Sequence, residues 1–388
     1  MPELSTALQD APFSVFEEVN AALSGYPGAQ VAPLHQGKTW FTPRAGSIAA
    51  SQAHLGLALH QHPPPGGVAL LRERLAEHVC SRYGLVVEAE QVIVTVGATH
   101  AISLVLNSIL EPGDEVILAA PQWLFATGLV EAARGVPVEV PLFSALAKTP
   151  DRDIIGLLDR ATTSRTRALY FNSPNNPTGT SLSPAQLSQV AEWAAARGTW
   201  LIADNAYENF DFTYHGFTDI GRLAPDLAFS VYTFSKTYAM PGYRVGYVVC
   251  PPGTASRLRK WALYSVYSVA TASQVAALNA LGTPVGELDR RRLLARQARD
   301  VTAATLVMPY SPIDGSLYAW LDVRGWAKGA PGVFAKACSQ AGVGLAPGEA
   351  FGTGCEGWVR LCFTAVPPEE LLPALEVVNQ VYEEGRAP

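Results

Sequence analysis

The chain has 388 residues, 48% hydrophobic and 16% charged, with a formal net charge of −6. That length suits a large core and two domains, and the absence of any basic block argues against a nucleic-acid binder. No apolar run approaches the ~20 residues that span a membrane and no signal peptide opens the chain, so a cytoplasmic protein is expected. Cys80, Cys250, Cys338, Cys355 and Cys362 are odd in number and form no Cys-x-x-Cys pair, as for reduced, structural thiols.

In chain order, residues 1–44 are loop-rich. Short apolar strands then alternate with helical patterns: 91–96, 115–119, 168–171, 200–203, 228–234 and 244–250 as strands, 98–110 and 183–197 as helices. Such alternation predicts a largely parallel sheet with helices on both faces. From about Leu281 a long charged helix leads into a mixed α/β tail. The two ends read as one smaller domain: residues 1–45 and 286–388 flank a large domain at 46–285.

Ligands of such sheets lie beyond the carboxyl ends of the strands, where the candidate motifs fall. The first, Val94-Thr-Val-Gly-Ala-Thr-His-Ala101, ends a strand at Gly97 and starts a helix, so the amides of Ala98 and Thr99 offer an anion site. Glycine at such a turn is commonplace and says little alone. Asn172-Ser-Pro-Asn-Asn-Pro-Thr-Gly179 is a proline-stiffened loop; Asn176 offers an amide to a phenolate, or the loop is only a turn before a helix capped by Ser183. Ala203-Asp-Asn-Ala-Tyr207 puts Asp204 at a strand end, where it needs a partner. A protonated pyridine nitrogen is one such partner; a helix cap or salt bridge is the plainer alternative. Tyr207 is a further donor to a phenolate.

Thr233-Phe-Ser-Lys-Thr-Tyr-Ala-Met-Pro-Gly-Tyr-Arg-Val-Gly-Tyr247 is the most informative stretch. Lys236 follows an apolar run and Arg244 comes eight residues later. A lysine with lowered pKa forms a Schiff base with a carbonyl, and arginine forks a phosphate. A carbonyl and a phosphate in one ligand suggest pyridoxal 5'-phosphate (PLP). Last, Gly357-Trp-Val-Arg-Leu-Cys-Phe363 sets Arg360 in an apolar strand, where it requires a carboxylate from the protein or from a substrate.

In this order and spacing the segments resemble the class I/II aminotransferases of the fold-type-I PLP family, from Gly37 to the C-terminus. The resemblance implies an α/β fold, with a large domain whose mostly parallel seven-stranded sheet lies between helices and a smaller α/β domain from both termini. It also implies a homodimer with shared active sites. Lys236 would hold PLP as an internal aldimine and shuttle a proton. Asp204 would keep the pyridine nitrogen protonated, and Tyr207 and Asn176 would bind the phenolate oxygen. Arg244, Thr233, Ser235 and the Ala98 and Thr99 amides would hold the phosphate, with Trp123 stacked on the ring. Arg360, helped by the backbone at Gly37, would clamp the substrate carboxylate. The implied activity is ping-pong transfer of an amino group between an L-amino acid and a 2-oxo acid; elimination, cyclisation, decarboxylation or oxidation at the same site is the alternative.

Some residues depart from the family pattern. In Leu59-His-Gln-His-Pro-Pro-Pro-Gly-Gly67, His62 stands where the family usually has a tyrosine reaching the neighbouring subunit's phosphate. His60 and His62 lack companions for a metal site. Asn205 and Ala206 replace the glutamate and larger residue often found after the aspartate. These changes suggest a member in specialised metabolism. A side-chain pocket is expected from residues 13–19, 38–41 and 264–267. In it, Glu17 and Glu18 would receive a cation, or would be merely the wet face of a helix, while Trp40, Phe41 and Tyr267 would form an aromatic wall.

Overall fold

The computed structural model describes residues 15–28, 30–46, 61–150, 152–329 and 331–386. Its central sheet is built from β1 (Val92–Thr95), β2 (Glu115–Ala119), β3 (Val136–Val140), β4 (Thr166–Asn172), β5 (Trp200–Asp204), β6 (Ala228–Thr233) and β7 (Gly246–Val249), in the order β1-β7-β6-β5-β4-β2-β3. The expected strands are all present. β3 was not anticipated: its alternating Val-Pro-Val-Glu-Val lies at the sheet edge, where Pro137 is tolerated and burial is incomplete.

Alternation along the inner strands feeds two cores. Leu169, Phe171, Leu201 and Ala203 pack with Leu187 and Val190 of the Pro184–Arg197 helix on one face. Tyr170, Ile202, Phe229 and Val231 pack with Ile102 and Val105 of the Gly97–Ile109 helix on the other. With both faces covered, these strands read as apolar runs in sequence.

β7 runs antiparallel to both β1 and β6, whereas β2 through β6 pair in parallel. Its amino end therefore lies at the carboxyl edge of the others, with Gly246 opposite both Thr95 and Thr233. Not every motif, then, follows a strand's carboxyl end: Arg244 precedes β7.

A smaller antiparallel sheet has β8 (Tyr318–Asp322) and β9 (Ala346–Pro347) on either side of β10 (Trp358–Cys362). The N-terminal segment is tied to it. Cys362 N–H donates to Leu34 O at 2.8 Å, and Trp40 N–H to Thr364 O at 2.9 Å. The charged helix spans Val285–Thr305. Among the described residues no helix is long and apolar enough to cross a membrane.

Ser183 caps its helix as expected. Its Oγ accepts from Gln186 N–H at 3.2 Å, and its own N–H donates to Gln186 Oε1 at 2.8 Å. Replacing it leaves a helix-end amide without its partner. Ser183→Ala is expected to lower stability by about 1 kcal/mol, read as a shift of the denaturation midpoint; an unchanged midpoint would show that water replaces the cap.

Candidate active site

β4, β5 and β6 end side by side, with Asn172 opposite Asp204 and Asp204 opposite Val231. Parallel pairing thus places the Asn176 loop, Asp204 and the Lys236 turn along one edge. Beyond β6 the chain reverses through a short turn at Pro241–Tyr243, and Arg244 takes a left-handed backbone at φ 52°. One cleft is lined by Gly37, Ala98, Thr99, Trp123, Asn176, Asp204, Tyr207, Thr233, Ser235, Lys236, Arg244 and Arg360. Twelve of the thirteen expected site residues therefore meet.

At one end of the cleft is an anion cradle. The Gly97–Ile109 helix begins there without a side-chain cap, leaving its first amides to the cleft. Gly97 has φ 76°, and a Cβ on it would lie 2.7 Å from Arg244 Nη2, so the guanidinium packs against the bare turn. Thr233 Oγ1 donates to Ser235 Oγ at 2.9 Å, which puts two hydroxyls beside it.

Lys236 Nζ donates to Gly37 O at 2.5 Å. Burial, aided by the positive charges of Arg360 and Arg244, lowers its ammonium to about 8. Asp204 is buried; its Oδ2 accepts from Tyr170 Oη at 2.9 Å and its Oδ1 from Ala206 N–H at 3.2 Å. Burial pushes its carboxyl up to about 6. Neither a helix cap nor an ion pair accounts for it.

A hydrogen-bonded chain crosses the floor. Arg360 Nη1 donates to Asn176 Oδ1 at 2.9 Å, Asn176 Nδ2 donates to Tyr207 Oη at 3.4 Å, and the hydroxyls of Tyr207 and Tyr318 share a bond of 2.8 Å. Arg360 Nη2 also donates to His35 O at 2.6 Å. Its guanidinium carbon lies 4.4 Å from the Tyr318 ring centre, 4.9 Å from Phe351 and 5.6 Å from Phe16. Arg360 is 2% exposed, its Nε has no partner, and no ion pair among the described residues includes it. Of the two sources of carboxylate left open by the sequence, the protein supplies none among the described residues.

His62 lies outside this cleft. It is exposed, with its ring 5.2 Å from that of Tyr267. Glu17 and Glu18 are exposed on the Val15–Ser24 helix and do not line the cleft. Trp40 and Phe41 pack against the core of the small sheet, and Tyr267 is on the surface. The expected aromatic wall is therefore not theirs; Phe13 and His60 lie outside the described residues. Of the 13–19 segment expected to build the pocket, Phe16 lines the cleft; Tyr318, Tyr170 and Leu124 were missed, since each sits in an ordinary apolar pattern with no motif to mark it.

A lysine lowered to about 8 is half neutral near that pH, whereas an ordinary one stays protonated until about 10.4. Acetylation of the cofactor-free protein, mapped by mass spectrometry across pH, is expected to reach half its maximal rate at Lys236 near pH 8. A midpoint with the exposed lysines would contradict the burial argument.

The family model for "Aminotransferase class I and II" matches residues 32–378. An aspartate/prephenate aminotransferase of Thermus thermophilus is 33% identical over 367 residues, covering 93% of this chain and 92% of that protein. An arginine–pyruvate transaminase of Pseudomonas aeruginosa is 34% identical over 304 residues, 76% of each. Among solved structures, the Thermus thermophilus aspartate aminotransferase with maleate superposes with a TM-score of 0.90 at 31% identity, covering 98% of this chain and 100% of that one. The anion cradle, the depressed lysine and the unpaired arginine thus stand in a known framework, and the chain belongs to the class I and II aminotransferases, enzymes that use PLP.

Proposed function

We propose that this aminotransferase binds PLP through the cleft residues and moves an amino group from an L-amino acid to a 2-oxo acid in two half-reactions. The observation that carries this reading is a depressed lysine set in one cleft between an anion cradle and an arginine with no ion-pair partner. The donor set fits the cofactor. The Ala98 and Thr99 amides, Thr233, Ser235 and Arg244 suit a phosphate; Trp123 suits an aromatic ring; Asp204, buried without a cation of its own, suits a protonated ring nitrogen. When bound, PLP supplies a carbonyl that captures amines and a ring that accepts electrons released at the substrate Cα.

The protein's part is to position groups and to move one proton. Lys236 Nζ, partly neutral near pH 8, would hold the cofactor through its carbonyl carbon and, once freed by the substrate amine, would carry the proton from the substrate Cα to that carbon. Asp204 Oδ1 and Oδ2 hold negative charge against the ring nitrogen. Tyr207 Oη and Asn176 Nδ2 donate to the ring's oxygen. Arg360 fixes the α-carboxylate, and so the direction of the Cα–H bond, a positioning effect worth about 7 kcal/mol in favourable cases.

The same reading takes residues 46–285 as the cofactor domain and both ends as the smaller one. It also takes the enzyme as a homodimer, in which His62 reaches the partner's phosphate. Support comes from the exposed apolar residues Trp261, Leu263, Tyr264 and Tyr267, the last with its ring 5.2 Å from that of His62.

Single turnover tests the activity. Mixing the loaded enzyme with an amino acid, without acceptor, should release one equivalent of 2-oxo acid per site, and adding a second 2-oxo acid should restore the starting absorbance. Release of ammonia or peroxide instead would favour elimination or oxidation. Arg360→Ala should raise KM by on the order of a hundredfold, the loss of about 3 kcal/mol from a buried charge pair, while the bound cofactor's spectrum is retained. Loss of the cofactor would mean that Arg360 serves it rather than the substrate.

A further inference from the structure

Once the charged groups of the cleft are assigned, what remains among its described lining residues to meet a substrate's side chain carries no positive charge. Among the described residues lining the cleft the only cations are Lys236, Arg244 and Arg360, taken respectively by the carbonyl, the phosphate and the α-carboxylate. No lysine or arginine is left there for a second carboxylate. The rings of Phe16 and Tyr318 lie against Arg360, which also bonds Asn176, and Leu124 lines the same cleft.

These surfaces are held in place. Phe16 and Leu124 pack against the buried cluster of Trp320, Ala346, Phe351 and Cys355. The Phe16 ring lies 5.7 Å from that of His35, whose Nε2 is 3.0 Å from Asn20 Oδ1 on the same helix as Phe16. The charges behind the cluster are negative: Glu139, Glu349 and Glu356 all act on Cys355. Glu139 is secured there by Gln122 Nε2 at 2.8 Å and Thr353 N–H at 2.7 Å. A second carboxylate against this wall would lose water, gain no cation and face like charge.

We propose that the amino donor carries an uncharged apolar or aromatic side chain seated against Phe16 and Leu124, and that Phe16 is a specificity-determining residue which disfavours dicarboxylic amino acids. This rests on the reading of Arg360 as the α-carboxylate clamp. It separates the chain from those relatives whose names specify aspartate.

Unreactive carboxylates test this, because without an amino group their binding does not depend on amine transfer. The PLP-loaded enzyme is titrated by calorimetry with 3-phenylpropanoate, succinate and 5-guanidinopentanoate. 3-Phenylpropanoate is expected to bind at least about tenfold tighter than either other anion, as burying a phenyl ring predicts. Phe16→Ala is expected to remove most of that preference while succinate affinity stays within about twofold, since succinate gains little from the ring. Equal or tighter succinate would overturn the proposal and reveal a cation supplied by a second copy. Tightest binding of 5-guanidinopentanoate would overturn it in favour of the carboxylates behind the wall. A Phe16→Ala preference equal to the wild type's would overturn the role of Phe16, and failure of all three to bind would overturn the clamp on which it rests.

Discussion

The contact between two glycines sets the geometry of the site. A Cβ on Gly246 would lie 2.8 Å from the carbonyl carbon of Gly97 and 2.6 Å from Tyr232 O, so β7 can lie against both neighbours only where that residue is bare. Gly97 in turn must be bare for Arg244 to reach the helix start. The antiparallel return of β7 therefore does what a parallel strand could not: it brings an arginine eight residues after Lys236 back to the same sheet edge. The other residues proposed for the cofactor follow the ends of strands β1, β2, β4, β5 and β6, which the sheet already aligns.

Electrostatics gives that edge its chemical character. Asp204 and Arg360 are buried and Lys236 half-buried, and none has an ion-pair partner among the described residues. Burial is the largest cause moving the lysine and the aspartate towards neutrality, in opposite directions on the pH scale. Such unpaired buried charges cost several kcal/mol each, a cost that hydrophobic packing must offset and that a ligand of complementary charge relieves. The stacked rings around Arg360 lessen it in part, through cation–π contact at 4.4–5.6 Å.

Most of the cofactor half of the site could be read from the sequence, because Lys236, Arg244, Asp204, Asn176 and Gly97 lie in short segments whose residue types are constrained by chemistry. On the substrate side Arg360, the backbone at Gly37 and the 13–19 segment were expected, but not how they meet. Tyr318 and Arg360 share the floor through pairing of β8 with β10, and Phe16 joins them from a helix more than 300 residues away in sequence. Tyr170 was hidden for a similar reason: within a buried strand its hydroxyl looks like core, and only the neighbouring strand shows that it donates to Asp204. Exposed Glu17 and Glu18 settle an alternative the sequence left open in favour of the wet face of a helix, since a charge beside an apolar stripe has no direction until the helix is docked. The reversal of β7 also escaped, because an apolar run buried on both faces carries no sign of its direction.

The most direct test of the account is to trap the cofactor on the protein. The PLP-loaded enzyme is reduced with borohydride, digested and mapped by mass spectrometry. One phosphopyridoxyl group per chain, on Lys236 and absent from Lys236→Ala, is the predicted result. Label on another lysine, or none above background, would contradict the assignment of Lys236 and with it the chemistry proposed for the cleft.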